Sequence, residues 1–192
     1  MLQPMKFACS KFPAPLALVV VTAGLLGSGG LRADEYGDVN QLVRTGKPTE
    51  ALAKADQYLA AKPKDPQMRF LRGVALTEAG RTADAVTAFQ QLTEDFPELP
   101  EPYNNLAVLY AGQAQFDKAR AALEMAIRTN PSYSTAHENL GDVYMKLASE
   151  AYNKTLQLDP ANAGVRPKLA MIRELFSAPA ARTSAATPAT PR

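Results

Sequence analysis

The chain has 192 residues, 46% of them hydrophobic and 21% charged, and a formal net charge of +2 at pH 7. This composition is typical of a folded protein and excludes a chain that is disordered throughout. The positive balance comes from basic residues ahead of position 34, without which the chain is nearly neutral. Because nucleic-acid binding needs clustered positive charge, we expect no nucleic-acid partner.

The first 33 residues have the pattern of a secretory signal peptide. Two lysines precede an apolar run, APLALVVVTAGLL at 14–26, which has the length of a signal-peptide core and is too short to cross a bilayer as a helix. We expect cleavage after Ala33, a mature chain that starts at Asp34, and a periplasmic location. An uncleaved signal that anchors the protein in the inner membrane is the alternative. Cys9 precedes the apolar run, which argues against a lipid anchor.

Three segments after the leader align with one another at a spacing of 34 residues. They are VNQLVRTGKPTEALAKADQYLAAKP (39–63), GVALTEAGRTADAVTAFQQLTEDFP (73–97) and AVLYAGQAQFDKARAALEMAIRTNP (107–131), and the frame continues at NLGDVY (139–144). Apolar residues recur in them every three or four positions, and a breaker (TGKP, EAGR or AGQAQ) separates two helical runs. Each segment closes with a proline, which lacks an N–H and stops a helix. The sequence therefore predicts an all-α chain of helical hairpins.

These segments resemble the tetratricopeptide repeat (TPR) family, and the leader indicates an exported bacterial member. The residues that carry the resemblance best are Tyr103, Leu106, Ala107, Tyr110, Ala119, Leu123, Ala126 and Pro131. The resemblance implies a right-handed α-solenoid of about four hairpins, with repeats at about 32–65, 66–99, 100–133 and 134–162. We expect a TPR domain over 34–176, closed by a capping helix at 165–176. A disordered Ala/Pro/Thr tail is expected over 177–192.

Small residues recur where neighbouring helices would approach each other closely. They are Gly73, Ala107 and Gly141 in the first helices of the hairpins, and Ala51, Ala85 and Ala119 in the second helices. A larger side chain at these positions is expected to overpack the contact.

The fourth repeat lacks five residues that form the turn of the other hairpins. Apolar residues recur at helical spacing through the gap, and no glycine or proline lies between Asp142 and Asp159. We therefore expect one continuous helix over 134–158, with a tight break at Ala148 and Ser149 as the alternative. The second half of such a helix cannot fold back on the first half. Its apolar stripe would need the capping helix or a second copy of the chain as partner.

The TPR resemblance implies a groove, lined by the first helices, that binds an extended peptide or a partner helix. The predicted groove residues are Tyr36, Asn40, Phe70, Val74, Thr77, Asn104, Val108, Glu138 and Asp142. This face is apolar at its centre and acidic toward its C-terminal end. We expect a partner with basic and apolar residues, and not the terminal carboxylate that some family members clamp with Lys, Arg and Asn. A solvated acidic face without a ligand is the alternative.

Other polar residues favour structural roles over chemistry. We expect Asn105 and Asn139 to satisfy buried backbone groups, and His137, which replaces Tyr103 one repeat later, to be a packing residue. A metal site formed by His137 and neighbouring carboxylates is not expected, because adjacent helical residues point apart by about 100°. We found no nucleophile, base or phosphate loop typical of an enzyme and expect neither a cofactor nor a small-molecule substrate.

We therefore expect a non-enzymatic protein–protein interaction scaffold that assists assembly in the cell envelope. The alternatives are a self-assembly module, dimerised through the 134–158 helix, and an accessory subunit of a cell-wall enzyme.

Overall fold

The computed structural model describes residues 32–177, with side chains from 35 to 176. Most of the predicted signal peptide, and the predicted tail beyond Ser177, lie outside the described residues. The described part contains eight helices and no strand. They are α1 (Arg32–Arg44), α2 (Pro48–Ala61), α3 (Pro66–Glu78), α4 (Thr82–Asp95), α5 (Pro100–Gly112), α6 (Phe116–Thr129), α7 (Ser134–Leu158) and α8 (Val165–Ser177).

The first six helices form three hairpins that stack in chain order. Each helix from α1 to α5 packs against the next one, and α1 also packs against α3. Each of the predicted closing prolines lies two residues beyond the end of α2, α4 or α6. The all-α solenoid predicted from the repeat is confirmed.

The hairpin turns repeat a left-handed backbone residue at the 34-residue spacing. Gly46 and Gly80 have φ values of 72° and 71°, and Ala114 occupies the same position of the third hairpin with a φ of 56°. Glycine has no Cβ and adopts this conformation without strain, whereas alanine does not. The third turn is therefore strained where the first two are relaxed.

The core of the second hairpin is an aromatic pair placed against a glycine. The rings of Phe70 and Phe89 lie 5.7 Å apart at their centroids. A Cβ on Gly73 would lie only 2.7 Å from two carbons of the Phe89 ring. The close approach predicted at Gly73 is confirmed, and Ala107, Ala51, Ala85 and Ala119 are fully buried as expected.

The same expectation is wrong at Gly141. This residue is exposed, and no described atom lies within 4 Å of a Cβ built there. In the second hairpin the residue against Gly73 comes from the returning helix, α4. The fourth repeat has no such returning segment at this point, because α7 continues as one helix of 25 residues.

The predicted fusion of the last repeat is confirmed, since α7 runs without a break from Ser134 to Leu158. The chain divides into two compact units, whose described parts are 32–143 and 144–177. Within the second unit, α8 contacts the second half of α7. The Lys146 ammonium lies 3.6 Å from the Phe176 ring centroid, and the Lys168 ammonium lies 5.8 Å from that of Tyr152. The predicted capping helix thus supplies one partner for this half of α7.

No helix between residues 32 and 177 combines the length and apolar character needed to cross a membrane.

Candidate partner-binding groove

The predicted groove residues lie on α1, α3, α5 and the first half of α7, all within the 32–143 unit. Their exposure differs sharply along the face. Four are buried: Phe70, Val74, Asn104 and Val108. Four are half-exposed: Tyr36, Asn40, Thr77 and Asp142. Glu138 is exposed, so it is the member of the set that presents most surface to a partner.

The residues of α3 are engaged within their own hairpin. Phe70 packs against Phe89 of α4 and is 1% exposed. The Thr77 hydroxyl donates to the Gly73 carbonyl of its own helix over 3.0 Å. Phe70 therefore stabilises the hairpin, and its contact with a partner stays a prediction.

Two asparagines tie the third and fourth repeats together. The Asn139 side-chain amide donates to the Asn104 side-chain oxygen at 2.9 Å, and both residues are buried. The Asn104 amide nitrogen has no hydrogen-bond acceptor among the described residues. Because a hydrogen bond between buried groups offsets their desolvation, this pair holds α7 on α5.

The structural role expected for the two repeated asparagines is confirmed for Asn105, whose amide donates to the Glu101 carbonyl at 2.9 Å. Asn139 was also expected to bond to a backbone group, but its side-chain amide donates to the Asn104 side chain. The sequence pattern marked both positions as structural, but it did not indicate that one asparagine would bind another a full repeat away.

Tyr36, at the N-terminal end of the face, belongs to a hydrogen-bonded cluster that joins the first two repeats. Its hydroxyl donates to the Asp65 carboxylate at 2.5 Å and lies 2.8 Å from the Tyr58 hydroxyl, which donates to the same carboxylate at 3.1 Å. Asp65 also caps α3 by accepting from the Met68 N–H at 2.9 Å. Burial and the hydrogen bond to Asp65 raise the pKa of Tyr36 far above its usual value.

Neither Asp65 nor Tyr58 was predicted as part of a site. An aspartate followed by proline does signal a helix cap, and that signal was available at Asp65. The tyrosine hydroxyls reach this carboxylate from two other helices, which no local pattern indicates.

The C-terminal end of the face contains half-buried Tyr133 and exposed His137. Burial, followed by the charge of Glu101, raises the pKa of Tyr133. His137 was expected to be a packing residue in the place of Tyr103, and this is wrong. Its side chain is exposed, and its Nε2 atom lies 3.0 Å from the Pro131 carbonyl oxygen. The described residues contain no group of three His, Cys, Asp or Glu side chains placed to hold a metal ion.

The fold and this face define an α-solenoid built from a repeated helical hairpin. Two tetratricopeptide repeat family models match the sequence, one over residues 38–100 and the other over 76–140. Together they cover more than half of the chain. The protein belongs to the tetratricopeptide repeat family, whose members and structural neighbours are typically non-enzymatic scaffolds for protein–protein interaction.

A curated relative matches part of the chain. The chloroplastic tetratricopeptide repeat domain-containing protein PYG7 of Arabidopsis thaliana is 40% identical over an alignment of 86 residues, and the match covers 42% of this chain and 29% of that protein. The chain therefore matches less than a third of that relative's length.

Solved structures of the same fold include two domains of one human protein. The first TPR domain of human RPAP3 has a TM-score of 0.57 and 18% identity, covering 61% of this chain and 92% of that domain. The second TPR domain of RPAP3, solved in complex with the HSP70 peptide SGPTIEEVD, has a TM-score of 0.53 and 14% identity, covering 58% of this chain and 93% of that domain. The structural similarity shows a common fold and, at these low identities, nothing beyond it.

Proposed function

We propose that this protein is a non-enzymatic scaffold that binds a peptide or partner protein along the predicted groove, in the bacterial cell envelope. The observation that carries the proposal is the stack of first helices, which ends in an exposed carboxylate at Glu138. The binding of a peptide by the second RPAP3 domain, which has the same fold, supports this use of the groove.

The partner we propose carries basic and apolar residues. Glu138 and Asp142 lie four positions apart on α7, so both project from one side of the helix. Two carboxylates there attract a basic segment and repel an acidic one. A peptide such as SGPTIEEVD, which is acidic at its C-terminal end, should therefore bind poorly to this protein.

Because several predicted groove residues are buried, only substitutions of exposed residues give a clear test of binding in the groove. Replacing Phe70 or Asn104 would remove core packing or a buried hydrogen bond, so a loss of binding would not separate contact from unfolding. Glu138→Lys reverses a charge on an exposed side chain. Glu94→Lys, on the exposed surface of α4, is the matched control because it makes the same charge change on a second helix.

The test is a calorimetric titration of the full chain with a peptide of alternating lysine and leucine, and with SGPTIEEVD. We expect the basic peptide to bind, Glu138→Lys to weaken its binding at least tenfold, and Glu94→Lys to leave it unchanged. Tighter binding of the acidic peptide, or equal effects of the two substitutions, would overturn the proposed partner chemistry.

We propose a periplasmic location on the basis of the signal-peptide pattern in residues 1–33. N-terminal sequencing of the protein from the periplasmic fraction should find Asp34 as the first residue. Recovery of the uncleaved chain in the inner membrane would support the anchored alternative.

An accessory role for a cell-wall enzyme remains a narrower version of the scaffold proposal. Crosslinking of the protein in its own envelope, followed by capture of wild type and Glu138→Lys, separates the two. An enzyme lost from the variant would identify the partner, whereas capture of non-enzymatic envelope proteins would favour general assembly.

A further inference from the structure

Four of the five residues along one seam of the second half of α7 are exposed within the described part of the chain. The residues of this seam follow each other at alternating spacings of three and four, which is the repeat of a coiled-coil contact. We name these residues the α7 seam: Tyr144, Leu147, Ala151, Lys154 and Leu158. Leu158 is 74% exposed and Tyr144 is 49% exposed, although both are large hydrophobic residues.

The capping helix contacts a different side of α7. The residues of α7 that contact α8 through ring–ammonium pairs are Lys146 and Tyr152. Tyr152 is adjacent in sequence to Ala151 and therefore points about 100° away from it around the helix. Ala151 is exposed, so the seam is open while α8 is in place.

We propose that a second copy of this chain covers the α7 seam. The two α7 helices run antiparallel, and the two-fold axis between them crosses α7 at the level of Ser149. This inference goes beyond the groove proposal, because it uses the other half of α7 and no residue of α1–α6. An isologous contact of this kind places the same residues on both sides of the interface.

The seam is complementary to itself in the antiparallel direction. With the axis at Ser149, Leu147 lies opposite the partner's Ala151, so each layer combines a large and a small side chain. Tyr144 lies opposite the partner's Lys154, where an ammonium group can stack on the phenol ring.

Parallel pairing lacks this complementarity. It would place Lys154 against the partner's Lys154 and so bring two like charges together in the interface. The single charge in the seam therefore selects the antiparallel arrangement, and it gives the proposal a specific register.

The first test compares two substitutions that add the same charge to neighbouring exposed positions. Ala151→Glu places a carboxylate in the seam, and Asn153→Glu places one outside it on the same turn of α7. Sedimentation velocity of the full chain over a concentration series should show twice the chain mass for wild type and Asn153→Glu. It should show at least a tenfold weaker association for Ala151→Glu. A wild type that stays monomeric, or equal behaviour of the two variants, would overturn the proposal.

The second test reads the register by disulfide formation, in a chain in which Cys9 is replaced by serine. In the antiparallel dimer, position 144 of one copy lies next to position 154 of the other. Two copies of position 144 are separated along the helix by about 15 Å, beyond the reach of a disulfide. Tyr144→Cys and Lys154→Cys should thus form no disulfide dimer alone and should form one when mixed. A dimer of Tyr144→Cys alone, or no dimer from the mixture, would refute this register.

Discussion

Replacing Gly73 by alanine should destabilise the second hairpin, because the added methyl group meets the buried ring of Phe89. The new Cβ would lie 2.7 Å from two ring carbons and 3.2 Å from a third. Carbon atoms pack at about 3.5–4.0 Å, so the ring must move by nearly 1 Å. Phe89 is fully buried and packs on Phe70, which restricts that movement. Overpacking of this kind costs about 1–3 kcal/mol.

The helix propensity of alanine opposes this cost, since alanine is about 1 kcal/mol better than glycine in a helix interior. Gly141→Ala is the matched control, because it lies two repeats later at the same position with no described atom near its Cβ. It gains the propensity term without the clash and should stabilise by about 0.5–1 kcal/mol. The difference between the two variants, about 1–3 kcal/mol, therefore measures the overpacking alone.

Thermal unfolding followed by circular dichroism measures this difference. At about 2–4 °C per kcal/mol for a chain of this size, Gly73→Ala should melt several degrees below Gly141→Ala. Adding Phe89→Leu to Gly73→Ala should recover part of the loss, because a smaller side chain relieves the clash. If Gly73→Ala melts at or above Gly141→Ala, the packing argument is wrong.

Four further outcomes are expected. Ala119→Leu should cost about 1–3 kcal/mol by overpacking a fully buried position, seen as a lower melting temperature. Ala114→Gly should stabilise by about 1 kcal/mol, because it relieves a left-handed backbone strain; an unchanged urea midpoint would contradict this. Asn104→Ala should cost about 1–3 kcal/mol by removing the acceptor for the buried Asn139 amide, and a cost no larger than that of an exposed asparagine would oppose this assignment. The pKa of Tyr133 is raised in the folded protein. Above about pH 10, the usual tyrosine pKa, the unfolded chain therefore loses a proton that folded Tyr133 keeps. The free energy of unfolding should fall as the pH rises through this range. In urea titrations at pH 9 to 11, Tyr133→Phe should lose less stability than wild type.

The helices of this protein could be predicted from local sequence signals. Glycine-containing breakers and closing prolines act within a few residues of where they stand, so they placed the hairpin turns and helix ends. The fusion of the last repeat was predicted for the same reason. A turn needs residues of its own, and those residues are missing between Tyr144 and Pro160.

The candidate site was predictable only in part. The TPR resemblance implied that Phe70, Asn104 and Glu138 face one groove. It did not indicate that the first two would be buried and the third exposed, because burial depends on what packs against that face from elsewhere in the chain. His137 was wrongly predicted to be a packing residue for this reason.

The sequence by itself determined the repeat, the helix bounds and the single long α7, because each depends on backbone propensities and spacings that act over a few residues. Only the tertiary structure decided that Gly73 is closely packed while Gly141 is open, and that Tyr36, Tyr58 and Asp65 meet in one cluster. These outcomes depend on distances between side chains that are far apart in sequence. A repeating pattern assigns equivalent positions to each repeat, but the neighbours of those positions change where the stack ends.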